Sequence, residues 1–352
     1  MREILFIGDC GNYKDTSNGV YAKNIQLLNR LKELFGQIKH INTNKWKQKP
    51  FVLLIILYYL FLYRRKDIII SLNTPSAYKF IKVAYWLFPD IRINYFVIGG
   101  ILPNYIAKLT NKERRCYSVV KWFMVESKAM KLAMEQLGYK NVLHIPNFKK
   151  ISYIPKKQAI NKDTFKFVFL SRIIPEKGCN LIIEAIEKLN KKIGNNLFLV
   201  HFYGKIDISY KTTFIQSLNN IPNAEYKGFL NLAVQSNYDI LANYSAMLFP
   251  TYWKGEGFPG ILIDAMIAGT PVIASNWGYN SEIIKNGKTG VIIKSKDVDE
   301  LSRSMLSFIN DTEKINTMSH ECTLQVMSYD TSVLLNNDFF EKILTTSRNE
   351  QI

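Results

Sequence analysis

The sequence predicts an α/β protein of two domains, each built on a parallel β-sheet with helices on its faces. Its 352 residues are too many for one ordinary domain. Short apolar runs typical of buried strands alternate with stretches of helical apolar spacing, as they do in parallel sheets. The alternation lapses once, in the lysine-rich stretch 147–163, and then starts again. We therefore expect two Rossmann-like domains, 1–150 and 158–330, joined by a linker at 151–157 and facing each other across a cleft.

The first domain begins with a strand and a long helix. REILFIG predicts the strand, and GVYAKNIQLLNRLKELF predicts the helix, because Ile25, Leu28 and Leu31 recur at helical spacing. Further strands are predicted at DIIISLN, INYFVIG and WFMVES, with a helix at SAYKFIKVAYWLF.

The second domain repeats this scheme. Its strands are predicted at FKFVFLSRI, LFLVHFYG, AMLFP, VIAS and GVIIK, and its first helix at NLIIEAIEKLNKKI. Residues 331–352 predict one more helix, and its return to the first domain is left open.

Charge is distributed unevenly between the two domains. Residues 1–150 hold 25 Lys and Arg against 9 Asp and Glu, a net charge of +16, whereas residues 151–352 hold 21 against 20. An anionic partner is therefore expected at the first domain only. Binding to nucleic acid is not expected, because no helix-turn-helix, zinc-finger or RNP pattern accompanies the charge.

The longest apolar run is FVLLIILYYLFLY, at residues 51–63. As a helix it is about 20 Å long, too short for a bilayer core that needs ~20 residues. Two interpretations stay open, a buried core helix or a helix lying in a membrane interface. Basic residues on both sides favour the second: Lys45, Lys47, Lys49, Arg64, Arg65 and Lys66. The start MREILFIGD lacks the apolar core of a signal peptide, and the four cysteines show no C-x-x-C spacing, so a cytoplasmic location is expected, with attachment to an anionic membrane surface left open.

A glycine-rich loop leads into a helix in GEGFPGILIDAMIAGTPVIAS, residues 255–275. Pro259 suits the first turn of a helix that runs to about Ala268, where Gly269 is a plausible cap. The first amides of this helix, those of Gly260, Ile261 and Leu262, predict an anion site.

Two carboxylates accompany this anion site. Glu256 lies in the loop, and Asp264 lies one turn inside the helix and is expected to point back toward the same place. A site that binds phosphate at the helix start, with acids beside it that accept hydrogen bonds from hydroxyls, suits a nucleotide attached to a sugar.

A second site for phosphate is predicted in SRIIPEKGCN. Arg172 and Lys177 follow the first strand of the second domain and precede a helix, where parallel sheets hold phosphate ligands. An arginine fork and a lysine point charge would together neutralise a diphosphate without a metal.

These segments resemble the family 4 glycosyltransferases, of the group 1 type. FLSRIIPEKGCNLIIEAI, YKGFL, the loop and helix above and EIIKNGKTGVII match that family in order across the second domain. The resemblance implies the GT-B fold and a retaining enzyme that uses a nucleotide sugar. It implies that Arg172 and Lys177 hold the donor diphosphate, that Glu256 contacts the transferred sugar and that Asp264 binds the ribose hydroxyls. The family usually has Glu at the position of Asp264.

In the first domain the resemblance assigns glycines to the site. Gly19 fits the glycine loop that opens the first helix near the phosphates. Gly99 and Gly100 fall on the acceptor side, where many relatives carry a histidine. None of the four histidines lies there, and His144 and His201 are expected in strands or at their ends.

The sequence predicts no metal site. Asp297-Val298-Asp299 is its single D-x-D, and it is more typical of a helix N-cap. The predicted function is a retaining, metal-independent glycosyltransferase of the hexosyltransferase type, acting in surface polysaccharide biosynthesis. It would use a UDP- or GDP-sugar, no other cofactor, and a glycan or polyprenyl-diphosphate-linked acceptor. A non-catalytic nucleotide-sugar-binding subunit and a sugar-nucleotide epimerase of similar fold are the alternatives.

Overall fold

The computed structural model describes residues 2–13, 18–48, 51–156 and 165–344. Residues 157–164, where the predicted linker ends and the predicted second domain begins, lie outside the described residues, as do Lys49 and residues 345–352. The chain divides into two compact domains. The first comprises residues up to 150 together with those from 329 onward, and the second comprises residues 151–328. In the described part of the chain, no helix is long and apolar enough to cross a membrane.

The first domain contains a parallel sheet with the strand order β2-β1-β3-β4-β5-β6. Its strands are β1 (Ile4–Gly8), β2 (Lys39–Asn42), β3 (Asp67–Asn73), β4 (Ile93–Ile98), β5 (Val120–Val125) and β6 (Val142–His144). The four predicted strands are found. Strand β2 was not predicted, because it has four residues and only Ile41 among them is buried, so it makes no apolar run.

Six helices of the first domain precede its last strand: α1 (Gly19–Phe35), α2 (Phe51–Tyr63), α3 (Thr74–Leu87), α4 (Leu102–Ala107), α5 (Asn111–Arg114) and α6 (Lys128–Gln136). Short 3-10 helices occupy Trp46–Gln48 and Arg115–Val119. Helix α1 has the predicted bounds. Asn18 caps its first turn by accepting a hydrogen bond from the Val20 amide, and Gly36 ends it with a φ of 77°.

Helix α2 is the predicted apolar helix, and most of its side chains face solvent. Only Ile56 and Leu60 are buried, whereas Phe51 is 75% exposed and Leu54 is 63% exposed. The interpretation of residues 51–63 as a buried core helix is therefore wrong. The helix is apolar on every side, so one side can pack near β1 while the rest is left outside the core.

The second domain contains a parallel sheet with the strand order β12-β11-β10-β7-β8-β9. Its strands are β7 (Phe165–Leu170), β8 (Phe198–Tyr203), β9 (Ala224–Tyr226), β10 (Ala246–Phe249), β11 (Val272–Ser275) and β12 (Gly290–Ile293). From β7 the chain proceeds outward to β8 and β9, and then returns to β10 on the other side of β7. The crevice at the carboxyl ends of β7 and β10 is therefore a topological switch point, where α/β sheets bind ligands.

The helices of the second domain are α7 (Cys179–Ile193), α8 (Lys211–Asn219), α9 (Asn237–Ala242), α10 (Gly260–Ile267), α11 (Asn280–Ile283), α12 (Val298–Asn310) and α13 (Thr312–Val326). Short 3-10 helices lie at Pro175–Lys177 and Met327–Tyr329. Helices α7 and α12 pack on the same side of the sheet, where Ile186, Met305 and Phe308 are fully buried.

The C-terminal segment forms two short helices, α14 (Thr331–Leu334) and α15 (Asn337–Leu344). The prediction of a single helix is wrong, because the Asn336 side chain accepts a hydrogen bond from the Phe339 amide (2.8 Å) and caps a new helix. Phe340 and Ile343 are buried in the core of the first domain, beside residues of β1 and α1. Residues 329 and 330, which the sequence assigned to the second domain, belong to the first.

Candidate functional site

The candidate site lies in the second domain, in the loops that follow β7 and β10. These strands are adjacent and parallel, so the segment after Leu170 and the segment after Phe249 emerge side by side. Among the predicted site residues, Arg172, Lys177 and Glu256 are brought together here.

Lys177 is placed by a tight turn between β7 and α7. It ends the 3-10 helix Pro175–Lys177, and Gly178 follows with a φ of 87°. A Cβ atom on Gly178 would lie 2.4 Å from the carbonyl oxygen of Pro250, so only glycine lets the two loops approach this closely. The Tyr252 amide also donates to the carbonyl oxygen of Glu176 (2.8 Å), which ties the loops together.

Lys177 and Glu256 form a buried ion pair. The ammonium Nζ lies 2.5 Å from Glu256 Oε2, and the two side chains are only 6% and 7% exposed. The Thr251 hydroxyl donates to the same carboxylate oxygen (2.9 Å). Burial lowers the pKa of Lys177, and the negative charge of Glu256 opposes this shift. The site thus holds a cation and an anion that are both largely removed from water.

The ring of Trp253 contacts both predicted cations. The Arg172 guanidinium is 4.6 Å from the centroid of its ring and Lys177 Nζ is 4.8 Å from it. Such contacts fix a cation over an aromatic face. The Trp277 indole donates to the Trp253 carbonyl oxygen (2.8 Å), and a Cβ on Gly255 would meet the Trp253 ring at 2.6 Å. The sequence analysis missed Trp253 and Thr251, although an aromatic residue in a glycine-rich loop was a visible signal.

Asp264 lies in α10 and is 4% exposed. Its Oδ1 accepts a hydrogen bond from the hydroxyl of Tyr238, a buried residue of α9. Burial and the Asp264 carboxylate raise the pKa of Tyr238 well above its ordinary value, so the hydroxyl remains a donor. Tyr238 was not predicted, because nothing near it in the sequence marks it as a partner of Asp264.

The start of α10 differs from the prediction in two details. Pro259 is the N-cap, and the helix begins at Gly260. The Leu262 amide already donates to the Pro259 carbonyl oxygen (3.1 Å), because the first turn is tightened, so the prediction of a third unpaired amide is wrong. The amides of Gly260 and Ile261 stand at the positive end of the helix.

Gly19, Gly99 and Gly100 belong to the first domain. Gly19 begins α1, and Gly99, with a φ of 84°, follows β4. Near these positions the structure shows a buried ion pair that the sequence analysis missed. Lys23 Nζ donates to Glu126 Oε1 (2.6 Å) and to the carbonyl oxygen of Val97 (3.0 Å).

The remaining predictions concern histidines and the D-x-D segment. His144 ends β6 and His201 lies in β8, which confirms their placement in strands. Asp297 is the N-cap of α12 and accepts a hydrogen bond from the Glu300 amide (2.8 Å), which confirms the N-cap interpretation. Asp299 forms an ion pair with Lys188.

Comparison with known proteins finds a family match in the second domain. Residues 150–322 match the family model of the group 1 glycosyl transferases. Poly(ribitol-phosphate) α-N-acetylglucosaminyltransferase of Staphylococcus aureus is 28% identical over 180 residues, which are 51% of this chain and 34% of that protein. The UDP-Gal:α-D-GlcNAc-diphosphoundecaprenol α-1,3-galactosyltransferase of Escherichia coli is 23% identical over 201 residues, which are 56% of this chain and 50% of that protein. The chain thus spans a third to a half of the length of these curated relatives.

The similarity to solved structures covers both domains. The crystal structure of Anabaena HepE in complex with UDP-glucose aligns with 97% of this chain and 99% of its own, with a TM-score of 0.72 and 16% sequence identity. The two six-stranded parallel sheets are those of the GT-B fold, so the predicted α/β architecture is confirmed. The sequence similarity to the group 1 glycosyl transferases covers residues 150–322, which is most of the second domain.

Proposed function

We propose that this protein is a retaining, metal-independent glycosyltransferase of the hexosyltransferase type that uses a UDP- or GDP-sugar. The observation that carries the proposal is the cluster of Arg172, Lys177 and Glu256 at the switch point of a group 1 glycosyltransferase domain. Two cations beside a carboxylate suit a ligand that is anionic at one end and rich in hydroxyls at the other. The HepE structure, with a similar fold, contains UDP-glucose.

In the proposed reaction the bond between the sugar C1 and the diphosphate oxygen breaks, and the diphosphate keeps the electron pair. Arg172 and Lys177 would stabilise the charge that develops on this leaving group. The acceptor hydroxyl oxygen bonds to C1, and its proton passes to the departing diphosphate, which lies on the same face of the sugar. Retention requires the new bond to form on the face that the diphosphate leaves.

The ion pair of Lys177 with Glu256 suggests how the two ends of the donor are recognised together. A diphosphate offers the Lys177 ammonium a second anionic partner. The carboxylate of Glu256, which Thr251 holds in place, can then accept hydrogen bonds from sugar hydroxyls. We propose that Gly260, Ile261 and Asp264 complete the donor site, and that Gly19 of the first domain contributes to it.

For the acceptor we propose a glycan or a polyprenyl-diphosphate-linked glycan, with Gly99 and Gly100 on the acceptor side. The net charge of +16 on residues 1–150 supports an anionic acceptor. The E. coli relative is named for a diphosphoundecaprenol-linked substrate. Such a reaction belongs to surface polysaccharide assembly, at the cytoplasmic face of a membrane. The same domain would meet the membrane, and no nucleic acid is proposed as a partner.

The first experiment is a thermal-shift screen with UDP, GDP and their sugars. A ligand of the folded state raises Tm by mass action, so one nucleotide series should stabilise the protein. Incubation with that sugar nucleotide alone should then release the free nucleotide slowly. An isomer of the sugar nucleotide would instead identify an epimerase, and stabilisation without any turnover, with or without acceptor, would identify a binding subunit.

Two further measurements test the finer claims. Transfer in excess EDTA after dialysis should continue, because Arg172 and Lys177 supply the positive charge. An enzyme that stops and recovers only with manganese or magnesium would contradict metal independence. The anomeric proton coupling of the product should match that of the donor, and inversion would contradict the retaining assignment.

A further inference from the structure

Helices α2 and α3 of the first domain expose many apolar side chains, and we call the area that they form the α2–α3 surface. It consists of the exposed side chains Phe51, Leu53, Leu54, Ile55, Tyr58, Phe61, Leu62, Val83, Trp86 and Leu87. The two helices meet at their C-terminal ends, where the rings of Phe61 and Phe88 lie 6.4 Å apart. Trp86 is 71% exposed, which is unusual for a large aromatic side chain.

Packing within the domain does not account for this surface. Isolated exposed apolar residues are normal, but contiguous apolar patches larger than a few hundred Å² mark interaction sites. Helix α2 buries Ile56 and Leu60 against the domain, and this anchors it. The remaining apolar side chains are available to a partner.

Basic side chains surround the α2–α3 surface. Lys39 Nζ lies 4.2 Å from the centroid of the Tyr59 ring, and the Arg64 guanidinium lies 4.3 Å from that of Phe61. Residues 39–92 together contain ten Lys and Arg against two Asp and Glu, a net charge of +8. Arg65, Lys79 and Lys82 among them are exposed. The partner must therefore be apolar where it meets the helices and anionic around them.

We propose that the α2–α3 surface docks on an anionic lipid bilayer, with α2 lying in the plane of the interface. A bilayer offers acyl chains to the apolar side chains and lipid phosphates to the basic ones. Tyr58 and Trp86 suit the level of the headgroups, where aromatic residues concentrate. A second copy of this chain fits less well, because it would bring two basic regions together. The inference rests on the proposed function, which brings the first domain to a membrane, and deepens it by naming the surface that docks; it does not depend on the donor site.

The test is co-sedimentation of the full chain with vesicles of phosphatidylcholine, alone or mixed with phosphatidylglycerol. The protein should bind the mixed vesicles and be released as salt is raised, because the attraction is screened within ~8–10 Å. Changing Leu54→Ser with Tyr58→Ser should weaken binding by at least roughly tenfold, since both side chains would lose burial in the interface. Both are exposed in the folded protein, so its circular dichroism and Tm should not change.

Matched variants in the second domain control for the loss of exposed apolar side chains and for the change in net charge. Ile208→Ser with Leu324→Ser changes two exposed apolar residues of the second domain and should leave binding unchanged. Arg64→Glu with Arg65→Glu should weaken binding strongly, whereas Lys191→Glu with Lys192→Glu in α7, an equal change in charge, should weaken it much less.

Three results would overturn the proposal. The first is a wild type that does not bind anionic vesicles at low salt. The second is a Leu54 and Tyr58 variant that binds as well as the wild type. The third is association of two copies of the chain through this surface. The last would show as a dimer in sedimentation that this variant dissociates. The nucleotide thermal shift should persist in the variant, so failure of the membrane proposal and failure of the donor site are distinguishable.

Discussion

Lys177 is buried and forms an ion pair with Glu256. These surroundings set its pKa, and with it the pH range in which Lys177 can bind a diphosphate. Burial lowers its pKa below the ordinary 10.5, against the opposing effect of Glu256. UDP binding should therefore weaken as the pH rises through this lowered value, because the neutral amine no longer attracts the diphosphate. Glu256→Gln removes the opposing charge, so it should move the loss of UDP binding to lower pH. Titration calorimetry across alkaline pH measures both, and a shift to higher pH in the variant would contradict the assignment.

Tyr238 is expected to position the carboxylate of Asp264, which is one methylene shorter than the usual Glu. If Asp264 binds the ribose, Tyr238→Phe should raise KM for the nucleotide sugar by roughly three- to tenfold and leave kcat nearly unchanged, because it weakens ground-state and transition-state binding alike. Tyr153→Phe is the control, because Tyr153 donates a similar hydrogen bond to Asp239 (2.7 Å) on the same helix α9. A variant with lower stability but an unchanged KM would show that the Tyr238–Asp264 contact is only structural.

Gly178 and Gly287 both have positive φ, of 87° and 79°, but different surroundings. Alanine at Gly287 would meet open space and should cost only the ~1–2 kcal/mol of the left-handed backbone. Alanine at Gly178 would also collide with the Pro250 carbonyl, so it should lower the free energy of unfolding further and impair UDP binding by displacing Lys177. Urea unfolding of both variants gives the comparison. Equal losses would show that the two loops need not approach closely.

At the scale of elements, the Lys23–Glu126 pair joins α1 to the carboxyl ends of β4 and β5. Glu126→Ala leaves a buried ammonium without its counter-ion and should destabilise the first domain by roughly 3–5 kcal/mol. Glu33→Ala removes an exposed partner of Lys150 and should cost less than about 1 kcal/mol. Urea unfolding of the first domain measures the loss of stability in each variant. Tryptophan fluorescence follows that domain when the tryptophans of the second domain, Trp253 and Trp277, are replaced by Phe. A Glu126 variant as stable as the Glu33 variant would contradict this role of the buried pair.

Most elements could be predicted from sequence because their apolar pattern is strong and local. The bounds of α1 follow from its leucine spacing and from Asn18 and Gly36. Strand β2 has no such pattern, and the cap at Asn336 interrupts a helix that its apolar residues predict as continuous. Helix α2 was predicted in extent, but its exposure depends on which surfaces the rest of the domain presents.

In the candidate site, too, the sequence predicts local motifs but not the contacts between distant segments. Arg172, Lys177 and Glu256 belong to local motifs, so the sequence could nominate them. Lys177 and Glu256 are 79 positions apart in the sequence, and Lys23 and Glu126 are 103 apart. Both contacts therefore depend on the order of the strands in the sheet. Tyr238 meets Asp264 for the same reason, and no local pattern reports such a contact.

At the scale of the molecule, the second domain is nearly neutral and carries the candidate donor site, while the first domain carries the positive charge. This division suits the proposed reaction, in which the second domain binds a nucleotide sugar and the first binds an anionic acceptor. It also makes the two proposals independent, because nucleotide binding and vesicle binding can be measured separately on the same chain.

The central claim is that Arg172 and Lys177 stabilise a departing diphosphate. The most direct measurement is the rate of nucleotide release from the sugar nucleotide that most raises Tm, for the wild type and for Arg172→Ala and Lys177→Ala. Each variant should remain folded by circular dichroism and lose activity by a factor on the order of 10²–10³, as expected for a lost transition-state contact. Lys188→Ala, which removes an exposed lysine of α7, should retain the wild-type rate. Near-native rates in both the Arg172 and the Lys177 variants would contradict the account.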